Sequence, residues 1–132
     1  MNGQIKVVFH QGAKISAEVD RWKIVTDQPE KDGGQDSAPN PFQFFLASLA
    51  TCAGYYALSF CRKREISTKG LSLNLVYTWT KKEGRITKMD FEITLPEGFP
   101  EKYRKALIRA VDACTVKKHL TRPPEMKVLV QE

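Results

Sequence analysis

The order of elements read along the chain is that of an α+β protein: strands in runs, helices in separate runs. Three observations predict it. Short β-branched segments fill the first 26 residues, an uncharged helical stretch follows Asn40-Pro41, and an alternating hairpin precedes a second, amphipathic helix. With 132 residues, the chain suits a single domain, residues 1–132, large enough to bury a real core.

Gln4 to His10 ("QIKVVFH") is apolar and β-branched and reads as a strand. Lys14 to Val19 and Trp22 to Thr26 read as two more, split by Asp20 and Arg21. Gln28 to Asn40 ("QPEKDGGQDSAPN") has prolines and glycines and almost no apolar content, so it is a long loop. Asn40 can cap the helix that follows, and Pro41 suits its first position. That helix is expected over Phe42 to Cys61. It ends in Arg62-Lys63-Arg64, cations suited to the negative end of a helix dipole. Leu71 to Thr80 alternates, with Leu71, Leu73, Leu75, Tyr77 and Trp79 on one face, and Arg85 to Leu95 alternates as well. The "KKEG" stretch between them is a turn, which makes the two strands an antiparallel pair. Glu101 to Ala113 is a helix whose Tyr103, Leu107, Ala110, Val111 and Cys114 share one face. A helical turn over Thr115 to Leu120 and a last strand over Met126 to Gln131 complete the reading.

Composition narrows the function classes. The net charge of +6 raises nucleic acid as a partner, but the cations are scattered along the chain. No zinc-finger spacing, helix-turn-helix pattern or RNA-stacking motif accompanies them, so a solvated basic surface is expected and nucleic acid is not. Met1 to His10 lacks the apolar core of a secretory signal. Three cysteines make an odd count, which disfavours a disulfide framework and fits a reducing, cytoplasmic compartment. The stretch from Pro41 to Cys61 carries no charge, formally a membrane-span pattern. Gln43, Ser48, Thr51 and Ser59 dilute it, however, and the amphipathic strands and helix around it need something to cover them. A buried core helix is the expectation, with no membrane partner.

The cysteines carry the chemistry. Cys52 and Cys61 lie about two and a half helical turns apart, on opposite faces of one helix, and cannot bridge each other. Cys114 ends the apolar stripe of the second helix, so packing of the two helices would bring it to Cys52. The plainer alternative is that both are small buried hydrophobes. A metal site is not indicated: there is no CxxC pair, and only His10 and His119 could add imidazole ligands. No nucleophile elbow or phosphate loop is present.

Taken together, the Gly33-Gly34 loop leading to Asn40-Pro41, the helix "FQFFLASLATC", the later "ACTVKKHL" and the hairpin between the two cysteines resemble the OsmC/Ohr family. These are the osmotically inducible and organic hydroperoxide resistance proteins. The resemblance runs roughly from Gln4 to Val130. It implies an OsmC-like α+β fold with antiparallel sheets around long central helices, in an interlocked homodimer. It also implies a thiol-dependent peroxidase that reduces organic peroxides, with hydrogen peroxide as a further substrate, in an oxidative stress response. Cys52 then looks like the peroxidatic thiol and Cys114 like the resolving one, joined in a Cys52–Cys114 disulfide that an external dithiol reduces. No metal or organic cofactor is implied. Family members with established peroxidase chemistry carry a glutamate just after the proline and an arginine from the N-terminal strands. Here Gln43 stands in the glutamate's place as a neutral orienter, and either Lys14 or Arg21 would be the supporting cation, with lysine lacking arginine's fork. Phe42, Phe45, Tyr55 and Tyr56 are the expected lining of an apolar substrate pocket. The competing expectation is a non-catalytic dimer on the same scaffold, binding a hydrophobic small molecule in its interface cleft.

Overall fold

The computed structural model describes residues 2–131. The backbone divides after Ala47 into an N-terminal and a C-terminal compact unit.

In the N-terminal unit, β1 (Lys6–Phe9), β2 (Ile15–Val19) and β3 (Trp22–Thr26) form an antiparallel sheet in the order β1-β2-β3. The register sets Val7 opposite Ala17 and Ala17 opposite Ile24. The β2–β3 turn has only Asp20 and Arg21 between the paired residues Val19 and Trp22. Asp20 takes φ 51, a left-handed conformation that such tight hairpins require and aspartate tolerates.

The loop after β3 is organised around one carboxylate. Asp27, buried to 2% exposure, accepts hydrogen bonds from the backbone N–H groups of Gln28, Gln35 and Ser37 and from the Ser37 hydroxyl at 2.5 Å. A 3-10 turn, Glu30–Asp32, opens the loop. Gly34 then packs so tightly on the chain that a Cβ there would meet the Gln28 carbonyl oxygen at 1.9 Å, so no other residue fits without moving the loop.

Helix α1 (Pro41–Lys63) begins in this unit and continues into the next. Its start is a reciprocal capping box. The Asn40 side chain accepts from the Gln43 N–H at 2.8 Å, and the Gln43 side-chain oxygen accepts from the Asn40 N–H at 2.9 Å.

The C-terminal unit holds the rest of α1, the hairpin β4 (Ser72–Thr80) and β5 (Arg85–Thr94), α2 (Arg104–Asp112) and α3 (Thr115–Thr121). In the hairpin Leu73 pairs with Ile93 and Leu75 with Phe91; an irregularity follows at Thr78/Trp79. The core of this unit is Ala53, Ala57 and Phe60 of α1 against Leu107 and Val111 of α2, with Leu71, Leu73, Phe91 and Ile93 packed on it. Among the described residues, α1 is the one helix long and apolar enough to cross a membrane; its alanines and Phe60 are used instead to build this core.

Two local expectations are corrected. The second helix starts with a 3-10 turn, Glu101–Tyr103, before its α-helical part. The expected strand over Met126 to Gln131 is absent: these residues have no regular structure, and Val128 is 99% exposed. A strand exists only through a ladder with a neighbour, and no described strand of this chain pairs with that segment.

Candidate active site

Cys52 and Cys114 come together inside the C-terminal unit. Cys52 projects from the middle of α1, one turn before Tyr56 of the same helix. Cys114 sits where the chain turns from α2 into α3, with φ −49 and ψ 132. This extended residue ends one helix and starts another, so the N–H groups after it are free of intrahelical partners. Cys114 and the backbone N–H groups of Thr115 and Val116 stand beside Cys52 on the donor side, where each favours its thiolate.

The pair is electrostatically asymmetric. Burial pushes the Cys52 thiol up, but the hydrogen bonds from Cys114, Val116 and Thr115 outweigh it and hold Cys52 below the ordinary thiol value. Burial and the neighbouring Cys52 raise Cys114. Cys52 is partly accessible, whereas Cys114 is buried to 1% exposure. Of the two, Cys52 is therefore the one that gives up its proton more readily and Cys114 the one that keeps it, the asymmetry that nucleophilic attack followed by condensation would use.

Cys61 is fully buried, and burial raises its thiol, opposed by Arg64. Arg64 is held over the Phe60 ring at 3.6 Å, which fixes the end of α1. Cys61 is thus a packing residue, as its opposite face on the helix predicts.

A cavity of about 310 Å³ opens beside the pair, with Cys114 in its wall. Its apolar lining comes from Ala53, Phe91, Ile93, Ile108 and Val111, with the Asp112–Lys117 ion pair at its polar side. These residues of β5 and α2 were not legible as a pocket, because hairpin and helix alternation reads only as core. The four expected aromatics lie elsewhere. Tyr55 and Tyr56 stack edge-to-face at 5.9 Å and line a separate groove with Lys63, Arg64 and Arg109. Phe42 and Phe45 pack on each other at 5.4 Å in the first turn of α1.

The remaining predicted residues belong to the N-terminal unit. Gln43 is engaged in the capping box. Lys14 lies in the β1–β2 turn, in the wall of a cavity that also contains Asp27 and His10. The Arg21 guanidinium lies 4.6 Å from the centre of the Trp22 ring. Among the described residues no group of His, Cys, Asp and Glu is placed to hold a metal ion.

An α+β unit that seats a partly accessible cysteine against a second, buried one is a scaffold organised around a cysteine pair. The OsmC family model, described as OsmC-like protein, matches residues 34–128, and this chain belongs to that family. Solved structures share its fold at low identity. A protein of Psychrobacter arcticus 273-4, proposed to be an osmotic stress induced and detoxification response protein, matches at 23% identity over 89% of each chain, TM-score 0.71. An OsmC-like protein from Mycoplasma pneumoniae matches at 18% identity over 92% of this chain and 88% of its own, TM-score 0.70. An organic hydroperoxide resistance protein OsmC from Legionella pneumophila matches at 20% identity over 89% of each, TM-score 0.54. No curated protein matches the chain.

Proposed function

We propose that the protein is a thiol-dependent peroxidase for organic hydroperoxides, with hydrogen peroxide as a secondary substrate. The observation that carries this reading is the juxtaposition of a partly accessible thiol, held below its ordinary pKa, with a buried second thiol held above it. The Cys52 thiolate attacks the distal peroxide oxygen and breaks the O–O bond, leaving Cys52 as a sulfenic acid and releasing an alkoxide that takes up a proton. The Cys114 sulfur then attacks the sulfenic sulfur, and water leaves as the Cys52–Cys114 disulfide forms. An external dithiol reduces that disulfide by two exchanges and is itself oxidised to a disulfide. The cycle uses no metal and no organic cofactor.

In this reading the apolar cavity beside Cys114 receives the organic part of the peroxide, a size that suits a small-molecule site. Lys14 or Arg21 supplies electrostatic support and Gln43 orients the site through its amide. The protein acts in the cytoplasm as one OsmC-like domain per chain, in an interlocked homodimer. The exposed apolar side chains of α1 and of both sheets support the dimer, since Tyr55 is 64% and Trp22 61% exposed.

The same cavity also favours a second reading, a dimer that binds a hydrophobic small molecule without turning it over. Turnover separates the two. With excess dithiothreitol, the wild type consumes cumene hydroperoxide catalytically and Cys52→Ser does not. Equal, slow consumption by both proteins would leave only the binding reading.

A further inference from the structure

Tyr56 follows Cys52 by one helical turn on α1, so the two side chains leave the helix in the same direction. The Tyr56 hydroxyl meets the Thr115 hydroxyl at 2.7 Å. Thr115 is the residue after Cys114, and its own N–H and that of Val116 are the backbone donors to the Cys52 sulfur. One face of α1 therefore touches the corner between α2 and α3 at two points one turn apart, through sulfur and through a phenol. The corner is also held from within α2 and α3, by the Asp112–Lys117 ion pair, the Cys114 N–H donating to the Val111 carbonyl and the His119 ring on the Thr115 carbonyl; the Tyr56 contact is what joins it to α1 beside Cys52.

We propose that Tyr56 and Thr115 are positioning residues for the cysteine pair, their hydroxyl contact pinning the corner so that the Thr115 and Val116 N–H groups stay directed at the Cys52 sulfur. The inference rests on the proposed role of Cys52 as the attacking thiolate. It assigns Tyr56 a task apart from lining a substrate pocket, and it gives Thr115 a task where none was expected.

The arrangement answers a physical problem at this site. Lys14 and Arg21 belong to the other unit, and what lowers the Cys52 thiol from within its own unit is a set of hydrogen-bond donors. That share of the stabilisation depends on geometry, because donors work only at fixed distance and direction. Backbone N–H groups keep such a direction only where the chain that bears them is fixed relative to α1, and a side-chain contact between the two supplies that fixing. The titratable groups facing Cys52 are Cys114 and, across the tether, Tyr56. On α3 the ionisable side chains are Lys117, which is paired with Asp112, Lys118, and His119, whose Nδ1 lies 2.8 Å from the Thr115 carbonyl; α1 contributes none along its uncharged face.

The test is the pH dependence of alkylation by iodoacetamide, resolved for each cysteine by peptide mapping, in wild type, Tyr56→Phe, Thr115→Val and Thr115→Ser. Both hydroxyl deletions are expected to raise the Cys52 midpoint by about one pH unit, a roughly tenfold loss of thiolate below it. Thr115→Ser retains the wild-type midpoint, and Cys61 is unmoved throughout. Because the two hydroxyls act as one contact, the double variant should shift no further than either single one. An unmoved Cys52 midpoint in both single variants overturns the proposal. So does an additive double variant, or a shift shared with Cys61, which would mark general loosening. Alkylation is read without peroxide, so the two claims separate: a shifted midpoint in a protein that does not turn over peroxide sinks the peroxidase and keeps the tether.

Discussion

Cys52 and Cys114 carry the same side chain and end in different states because of their neighbours. Hydrogen-bond donors outweigh desolvation at the first and do not at the second. The sequence shows both residues, and the apolar stripe of the second helix points Cys114 inward. It does not show the donors, because Thr115 and Val116 meet Cys52 only after the chain turns at Cys114. The same holds for Tyr56 and Thr115, 59 positions apart. Gln43 is expected as a neutral orienter in the glutamate's place, yet the sequence also carries the signal of what the structure does with it: Asn40 followed at the third helical position by glutamine is a capping-box pattern. Asp27 is the residue that sequence reading passed over. Its donors are mostly backbone N–H groups of a loop, placed by the close approach at Gly34. The Ser37 hydroxyl first, then the Gln28 and Ser37 N–H groups, lower the Asp27 pKa from 3.8 to about 2. A depressed carboxylate pKa stabilises the fold above the unfolded value and loses that effect as pH falls through the folded one. The loop over residues 28–37 should therefore become susceptible to pepsin between about pH 4 and pH 2 in the wild type. Asp27→Asn should be cleaved there already at pH 4.5 to 5, and equal cleavage of the two proteins would remove Asp27 as the loop's anchor.

Elements were legible where one face is buried and hard to read where partners decide. β3 falls on Trp22–Thr26 as the pattern requires, and α1 extends past Cys61 only to Lys63. In the hairpin, Leu71 and Leu73 reach the core, but Tyr77 and Trp79, predicted on the same face, are about half exposed. The irregularity at Thr78/Trp79 interrupts the two-residue repeat at Trp79, which alternation alone cannot show; Tyr77 keeps its regular pairing with Met89 and is exposed because the packed core ends before it. The β4–β5 turn closes by the Gly84 N–H donating to the Thr80 carbonyl at 2.8 Å, with Gly84 at φ 65, so its glycine is the informative residue of "KKEG". The stretch from Met126 to Val130 has the composition of a strand and lacks the partner that would make it one. Propensity records what a residue tolerates; pairing decides what it does.

At the scale of the molecule, the exposed apolar surface is what motivates the proposed dimer. Val7, Phe9 and Trp22 of the first sheet, Tyr55 of α1 and Met126 to Val130 are all open to solvent in the single chain. The proposed homodimer covers such surface. Sedimentation at micromolar concentration should then give about twice the 15.0 kDa protomer mass, without a monomer boundary. A single boundary at the protomer mass would count against the interlocked assembly. The family was legible from the spacing of the two cysteines around a hairpin, and the shared fold bears that out. The chemistry of the pair is the central claim, and one measurement reaches it most directly: quench the reaction with one equivalent of cumene hydroperoxide at successive times, then map the state of each thiol. The account predicts a Cys52 sulfenic acid first, a Cys52–Cys114 disulfide next, Cys61 reduced throughout, and in Cys52→Ser an untouched Cys114. Oxidation of Cys52 no faster than of Cys61, or a disulfide that never forms, would contradict it.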